Sequence, residues 1–213
     1  MEKKVSSDMR SETLRPQPED FEYDLKTALT SVVSVSTHIP DDAMTADVLG
    51  TERMGNGVVI REGIVLTIGY LVTEAQTVWI SNGDMTIAGH VLGYDQATGF
   101  GLVQALGKLN LPPLPLGDSD AVKIGDPVVV AGGGGLDSAV AAHVVAKQEF
   151  AGYWEYLLDE AIFTAPAHPH WGGAAVINSR GELLGIGSLP VSYTHLTLPT
   201  NVSMCRSRGA PEH

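Results

Sequence analysis

Between Gly55 and Ile186 no stretch of the chain stays apolar or periodic long enough to make a long helix. Instead, short runs rich in Val, Ile, Leu and Thr alternate with Gly, Pro and Asn. β-Branched residues favour the pleated, half-buried geometry of a strand, and Gly and Pro punctuate it. The first set of runs is Gly57–Arg61, Ile64–Ile68, Thr77–Ser81, Met85–Gly93 and Gly101–Leu106. Asn82-Gly83 is a hairpin turn signal between two of these. A proline-rich passage, Leu109–Pro115, predicts a crossing between two modules. The second set is Pro127–Ala131, Ala139–Lys147, Ala161–Thr164, Ala174–Asn178 and Leu183–Ile186. Many short strands with regular punctuation indicate an all-β barrel or sandwich. With 44% hydrophobic residues the chain can build such a core without disulfides, and its single cysteine, Cys205, cannot form an internal one.

The chain starts differently. Residues 1–17 are polar and read as an unstructured arm. Pro18-Glu19-Asp20 begins a short helix, because proline and carboxylates suit a first turn, and Phe21, Leu25, Ala28 and Leu29 follow at helical spacing. Ser31–Ser36 then switches to a first strand, and residues 38–54 form a loop. The net charge of -12 argues against a nucleic-acid binder, which needs clustered Lys and Arg. No run of about 18 apolar residues predicts a membrane-spanning helix, and the N-terminus lacks the apolar core of a signal peptide.

Several motifs, in order, carry a resemblance. Ser31-Val32-Val33-Ser34-Val35 and Gly55-Asn56-Gly57-Val58-Val59-Ile60 are two of them. Gly93-Tyr94-Asp95, Leu114-Pro115-Leu116-Gly117-Asp118-Ser119 and Gly125-Asp126-Pro127-Val128 follow. The last are Thr164–Asn178, with its Gly172-Gly173 pair, and Arg180-Gly181-Glu182-Leu183-Leu184-Gly185-Ile186. Together they resemble the HtrA/Deg type of chymotrypsin-like serine protease over residues 20–188. The resemblance implies two six-stranded β-barrels with a cleft between them, and a peptide or protein partner, with a homotrimer as a further expectation. Its domains would be an arm at 1–17, a helix and first barrel at 18–107, and a second barrel at 108–190.

The same frames lack the chemistry. A serine is a poor nucleophile until a histidine, oriented by an acid, takes its proton. The resemblance puts Tyr70 where the family has its histidine, Gly99 where it has its aspartate and Trp171 where it has its serine. A tyrosine with a pKa of about 10 is a poor base at neutral pH. Asp95 is close in sequence to Gly99 but matches a different acidic position. The second oxyanion donor would come from position 169, and Pro169 has no N–H. The expectation is a proteolytically inactive HtrA/Deg homologue that acts by binding. The alternatives are an active endopeptidase with an unrecognised catalytic arrangement and a non-functional truncated fragment.

His168-Pro169-His170, with His143, fits no zinc spacing and reads as surface histidines, so neither metal nor cofactor is expected. Gly132–Gly135 lacks the lysine and helix of a phosphate loop and reads as a flexible loop. Tyr153-Trp154-Glu155-Tyr156-Leu157 reads as a contact surface or a buried hairpin. Trp171 either caps the cleft or packs into its own loop. The segment VSYTHLTLPTN near the end resembles translated sequencing adapter. On that reading residues 191–213 are non-native or disordered, the second barrel is truncated near Pro190, and a following PDZ domain is lost from view. The compartment stays open: cytoplasmic by default without a signal peptide, periplasmic by resemblance.

Overall fold

The computed structural model describes residues 14–151, 157–191 and 194–200. Two closed six-stranded barrels make up the fold. The first holds β1 (Val32–His38), β2 (Glu52–Arg61), β3 (Ile64–Ile68), β4 (Thr77–Asn82), β5 (Met85–Tyr94) and β6 (Phe100–Ala105). All its neighbours are antiparallel, in the order β1-β2-β3-β6-β5-β4, and β1 closes on β4 through Ser34↔Ser81 to His38↔Thr77. The predicted hairpin is present: Asn82 pairs with Met85 across a two-residue turn, and Gly83 takes the positive φ of 55° that the turn demands.

The second barrel holds β7 (Pro127–Ala131), β8 (Ala139–Ala151), β9 (Leu157–Ala165), β10 (Ala175–Ile177), β11 (Leu183–Val191) and β12 (Thr194–Pro199). Its order is β10-β11-β12-β9-β8-β7, closed by β10 on β7. The expected truncation near Pro190 is therefore overturned. The adapter-like segment supplies β12, which fills the gap between β11 and β9. The physical reason is burial of a continuous run: Leu196, Thr197 and Leu198 are all fully buried, with Leu196 opposite Phe163 and Leu198 opposite Ile186. Thr200 completes the strand end, its N–H donating to the Leu184 carbonyl at 2.8 Å.

The linker predicted at Leu109–Pro115 does cross between barrels. Leu109 and Leu114 are buried, the Leu114 N–H donates to Val59 in β2, and the Pro115 carbonyl accepts from Leu183 in β11. The N-terminal helix is split. A single 3-10 turn spans Pro18–Asp20, and α1 (Leu25–Thr30) restarts after Asp24, whose carboxylate caps the Thr27 N–H at 3.1 Å. Within residues 14–17, expected as part of a free arm, Pro16 is buried and Arg15 pairs with Asp137 at 2.9 Å, while Leu14, Arg15 and Gln17 are exposed. Two short helices, α2 (Ala46–Leu49) and α3 (Gly69–Val72), sit in the connections of the first barrel. Residues 153–156 of the aromatic cluster and Cys205 lie outside the described residues.

Candidate functional site in the groove between the barrels

A groove of about 600 Å³ runs between the barrels. Ser34, Ser36 and Met54 line it from the first barrel, and Gly133, His170 and Trp171 from the second. Of the positions singled out in the sequence, Trp171 lines this groove, whereas Tyr70 and Gly99 line a second pocket of about 200 Å³ with Thr45, Gly69 and Asp95. Three loops carry them.

α3 carries Tyr70 out of β3. Its helical turn is held from below by Arg53, a buried cation with every contact made to an oxygen. One guanidinium nitrogen donates to the Tyr70 carbonyl at 2.6 Å and the Thr73 carbonyl at 3.1 Å. Nε donates to the Gly50 carbonyl and the other terminal nitrogen to Thr45 Oγ1. Cations suit the carbonyl end of a helical turn. Burial lowers the Arg53 pKa and the nearby Glu74 charge opposes that shift. Glu74 in turn accepts from the Met44 and Thr45 N–H groups, which ties the loop after β1 to the end of α3.

Gly99 closes a tight turn, donating its N–H to the Asp95 carbonyl at 2.8 Å with a φ of 78°. Its carbonyl accepts from Gly69 N–H at 2.7 Å, so it abuts the turn carrying Tyr70. Asp95 is occupied within this turn: one carboxylate oxygen accepts from Ala97 N–H and the other from the Thr98 hydroxyl.

The third loop, residues 168–173, places Trp171 against Tyr70, with ring centroids 6.4 Å apart at 59°. A Cβ on Gly172 would stand 2.5 Å from the Tyr70 hydroxyl, and one on Gly173 would collide with the Asn56 carbonyl. The Gly-Gly pair is thus demanded by packing against the first barrel. Tyr70 thus meets Trp171 through its ring and the Gly99 turn through the neighbouring Gly69 amide, so two aromatic rings and a backbone turn stand together. Pro169 follows the buried His168, and the His170 N–H donates to His168 Nδ1 at 3.0 Å rather than facing the groove.

His168 corrects an expectation. Read as a surface histidine, it is buried, and its Nε2 donates to the Ser138 carbonyl at 2.9 Å. Burial lowers its pKa. His143 is exposed on β8, and no cluster of His, Cys, Asp or Glu with metal-holding geometry forms among the described residues. The groove's serines stand apart from histidine: among the described residues, none of Ser34, Ser36, Ser81 and Ser138 hydrogen-bonds a histidine ring through its hydroxyl, and the Ser81 hydroxyl pairs with Thr86. The glycine run 132–135 leads into a 3-10 turn, Gly135–Ser138, and its Gly133 N–H donates to Asn56.

One residue of consequence escaped the sequence reading. Asn56, buried in β2, donates through Nδ2 to the His170 carbonyl at 2.8 Å and the Gly172 carbonyl at 3.0 Å. Its Oδ1 accepts the Gly133 N–H at 2.8 Å. It therefore binds the Trp171 loop and the glycine loop of the second barrel to the first. Its signal was a polar side chain between two glycines, in a strand whose continuation is apolar.

A model of the trypsin-like peptidase domain matches residues 55–186, over half of the chain. The chain belongs to the trypsin-like peptidase family. This trypsin-like domain is of the HtrA type by its relatives. It is 25% identical over 183 residues to the "Serine protease HtrA-like" protein of Staphylococcus epidermidis, covering 77% of this chain and 31% of that protein. It is 30% identical over 140 residues to the periplasmic serine endoprotease DegP of Salmonella typhimurium, covering 63% of this chain and 30% of that protein. The chain thus spans about a third of the length of these relatives. Among solved structures, the active form of the Rv3671c protease from M. tuberculosis has a TM-score of 0.71 at 21% identity, covering 87% of this chain and 83% of that one. The HtrA-type protease AlgW with a tripeptide has a TM-score of 0.65 at 21% identity, covering 82% and 59%. These two likenesses concern the fold of the trypsin-like domain.

Proposed function

We propose that this HtrA-type serine protease homologue does not cleave peptides and instead holds an extended peptide or protein segment in the groove between its barrels. The observation that carries the reading is the Tyr70–Trp171 contact. It fills the place where the fold would bring a general base to a nucleophile. Neither ring offers the chemistry: an indole has no nucleophilic oxygen, and a neutral phenol is a weak base at pH 7. The neighbouring turn adds no carboxylate, because Gly99 has no side chain and Asp95 serves its own turn. Loss of an oxyanion donor at Pro169 would by itself cost about 10²–10³ in rate. The groove remains open and lined by hydroxyls, a methionine and an indole, surfaces suited to contact with a peptide. AlgW, a structure of the same fold, holds a tripeptide.

The test pairs chemistry with binding. Purified protein is treated with a fluorophosphonate probe and incubated with casein, and binding of fluorescein-labelled casein peptides is followed by anisotropy. The expected result is no stoichiometric label, no cleavage and saturable binding that Trp171→Arg weakens. Stoichiometric labelling of one barrel residue, with cleavage abolished by substituting that residue, would overturn the reading.

A further inference from the structure

Loop 168–172 is tied to its surroundings through one imidazole. Ser138 presents a carbonyl, which only accepts, so His168 Nε2 must carry a hydrogen. The His170 main-chain amide only donates, so His168 Nδ1 must present a bare lone pair. The two contacts together specify the neutral Nε2–H tautomer. A proton arriving at Nδ1 would face an N–H group 3.0 Å from that nitrogen. The ring has little room to turn away: it is 2% exposed, and a Cβ on Gly132 would sit 3.2 Å from its Cε1.

We infer that His168 is an acid-sensitive latch on the groove: its neutral ring pins loop 168–172 to the 135–138 turn, and protonation of Nδ1 expels the His170 amide and frees that loop. The consequence reaches Trp171 directly. The His170 and Gly172 carbonyls flank it and are both held by Asn56, so a shift at His170 breaks that register and moves the indole away from Tyr70.

Among the described residues, the charged groups on the surrounding elements bring the ring a like charge or a charge already paired. His170, on the same loop, has its ring 6.2 Å away, and its charge opposes protonation of His168. Asp137, on the 135–138 turn, is 82% exposed at its side chain and is paired with Arg15. His143 lies exposed on β8. On the first-barrel side the facing group is the uncharged carboxamide of Asn56. Burial depresses the His168 pKa below its ordinary 6.5, in keeping with this. The sign follows: the unfolded or released ring binds protons more readily than the pinned one. The latch stabilises fully above about pH 6.5 and is lost as pH falls through the lower, pinned value. Between the two values its opening constant grows by up to about tenfold per pH unit.

That the freed loop alters peptide binding rests on the groove reading above; the release of the loop does not. The test is a pH titration of the ¹⁵N-labelled full chain by NMR between pH 7.5 and 4.5. Three signals are read: the His168 ring nitrogens, the Trp171 indole N–H, and hydrogen exchange at the His170 amide corrected for intrinsic rate. The expected result is an Nε2–H tautomer at pH 7.5 and a His168 transition below pH 6.5. The Trp171 indole shifts at the same midpoint, and His170 protection falls by up to tenfold per unit. His168→Asn keeps an acceptor near Nδ1 and cannot titrate, so its Trp171 signal should stay flat over the same range. If that variant does not fold, the wild-type titration alone decides. The inference is overturned if His168 titrates without moving the Trp171 indole, or if His170 protection is independent of pH. Fluorescein-labelled casein peptides added at each pH separate the two ideas. An NMR transition with no peptide binding at any pH sinks the groove reading and leaves the latch, whereas binding without the transition does the reverse.

Discussion

Replacing Asn56 by alanine should loosen the joint between the barrels by an amount that can be worked out bond by bond. Three hydrogen bonds disappear: Oδ1 to the Gly133 N–H, and Nδ2 to the carbonyls of His170 and Gly172. Their fates differ. The Gly172 carbonyl keeps the main-chain N–H of residue 56 at 2.8 Å and is not orphaned. The Gly133 amide and the His170 carbonyl lose the partner that Asn56, 5% exposed, had supplied. Each unsatisfied buried group costs about 1–3 kcal/mol, and the groove edge lets water recover part of it, so a net loss of about 2–4 kcal/mol is expected. For a chain of this size that lowers Tm by roughly 4–16 °C. Asn56→Asp keeps the acceptor but turns an anion toward two carbonyl oxygens. Its deficit relative to wild type should be at least as large at pH 7 and should shrink at pH 4, where the raised carboxyl pKa leaves the group neutral. Urea unfolding followed by tryptophan fluorescence measures both. If Asn56→Ala unfolds within 0.5 kcal/mol of wild type at an unchanged m-value, the carboxamide does not join the barrels and the account is wrong.

Three further outcomes are expected. Leu198→Ala, at a fully buried position of β12, should cost about 2–5 kcal/mol in urea unfolding, and a chain ending at Pro190 should aggregate through the unpaired edges of β9 and β11, seen by light scattering. Tyr23→Phe removes a buried hydroxyl with no hydrogen-bond partner among the described residues, so stability at pH 7 should be unchanged or rise by up to about 1 kcal/mol. In wild type the Tyr23 pKa is pushed up to about 12 by burial, so its contribution holds below about pH 10, the unfolded value, and is lost as pH rises toward 12. The Phe variant should lack that alkaline phase in a pH–stability profile. Trp171→Ser alone should leave casein cleavage at background if, as proposed, Tyr70, Gly99 and Pro169 supply no base, acid or oxyanion donor.

Most strands were legible because half-buried β structure leaves a local trace. β3 and β7 have the limits their β-branched runs suggested, and β4 and β5 are longer by one residue. The missed portions have specific causes. β2 begins at Glu52, five residues before the expected start, because Glu52–Asn56 is polar in composition and becomes a strand only by pairing with β1. β8 and β9 extend past their apolar centres by pairing with each other. Thr194–Pro199 carries a local strand signal, leucines alternating with threonines, but its burial is not alternating: Leu196, Thr197 and Leu198 are all buried, which only pairing with β9 and β11 produces.

The site was legible in a narrower sense. On the proposed reading, order and spacing align Tyr70, Gly99 and Trp171 with catalytic positions, because the strands around them are readable. What surrounds those positions was not, because it depends on contacts between residues distant in sequence. Asn56 and His170 are 114 residues apart, and His168 and Ser138 are 30 apart. A histidine next to proline in a polar loop has no local sign of burial. Yet its placement determines whether the loop beneath Trp171 is fixed or free. On the proposed reading the loop under Trp171 does not position an attacking oxygen, yet the Gly172-Gly173 pair and the Asn56 carboxamide still hold it tightly. A histidine bonded at both ring nitrogens gives that loop a means of release by acid, which a side chain that does not titrate would lack.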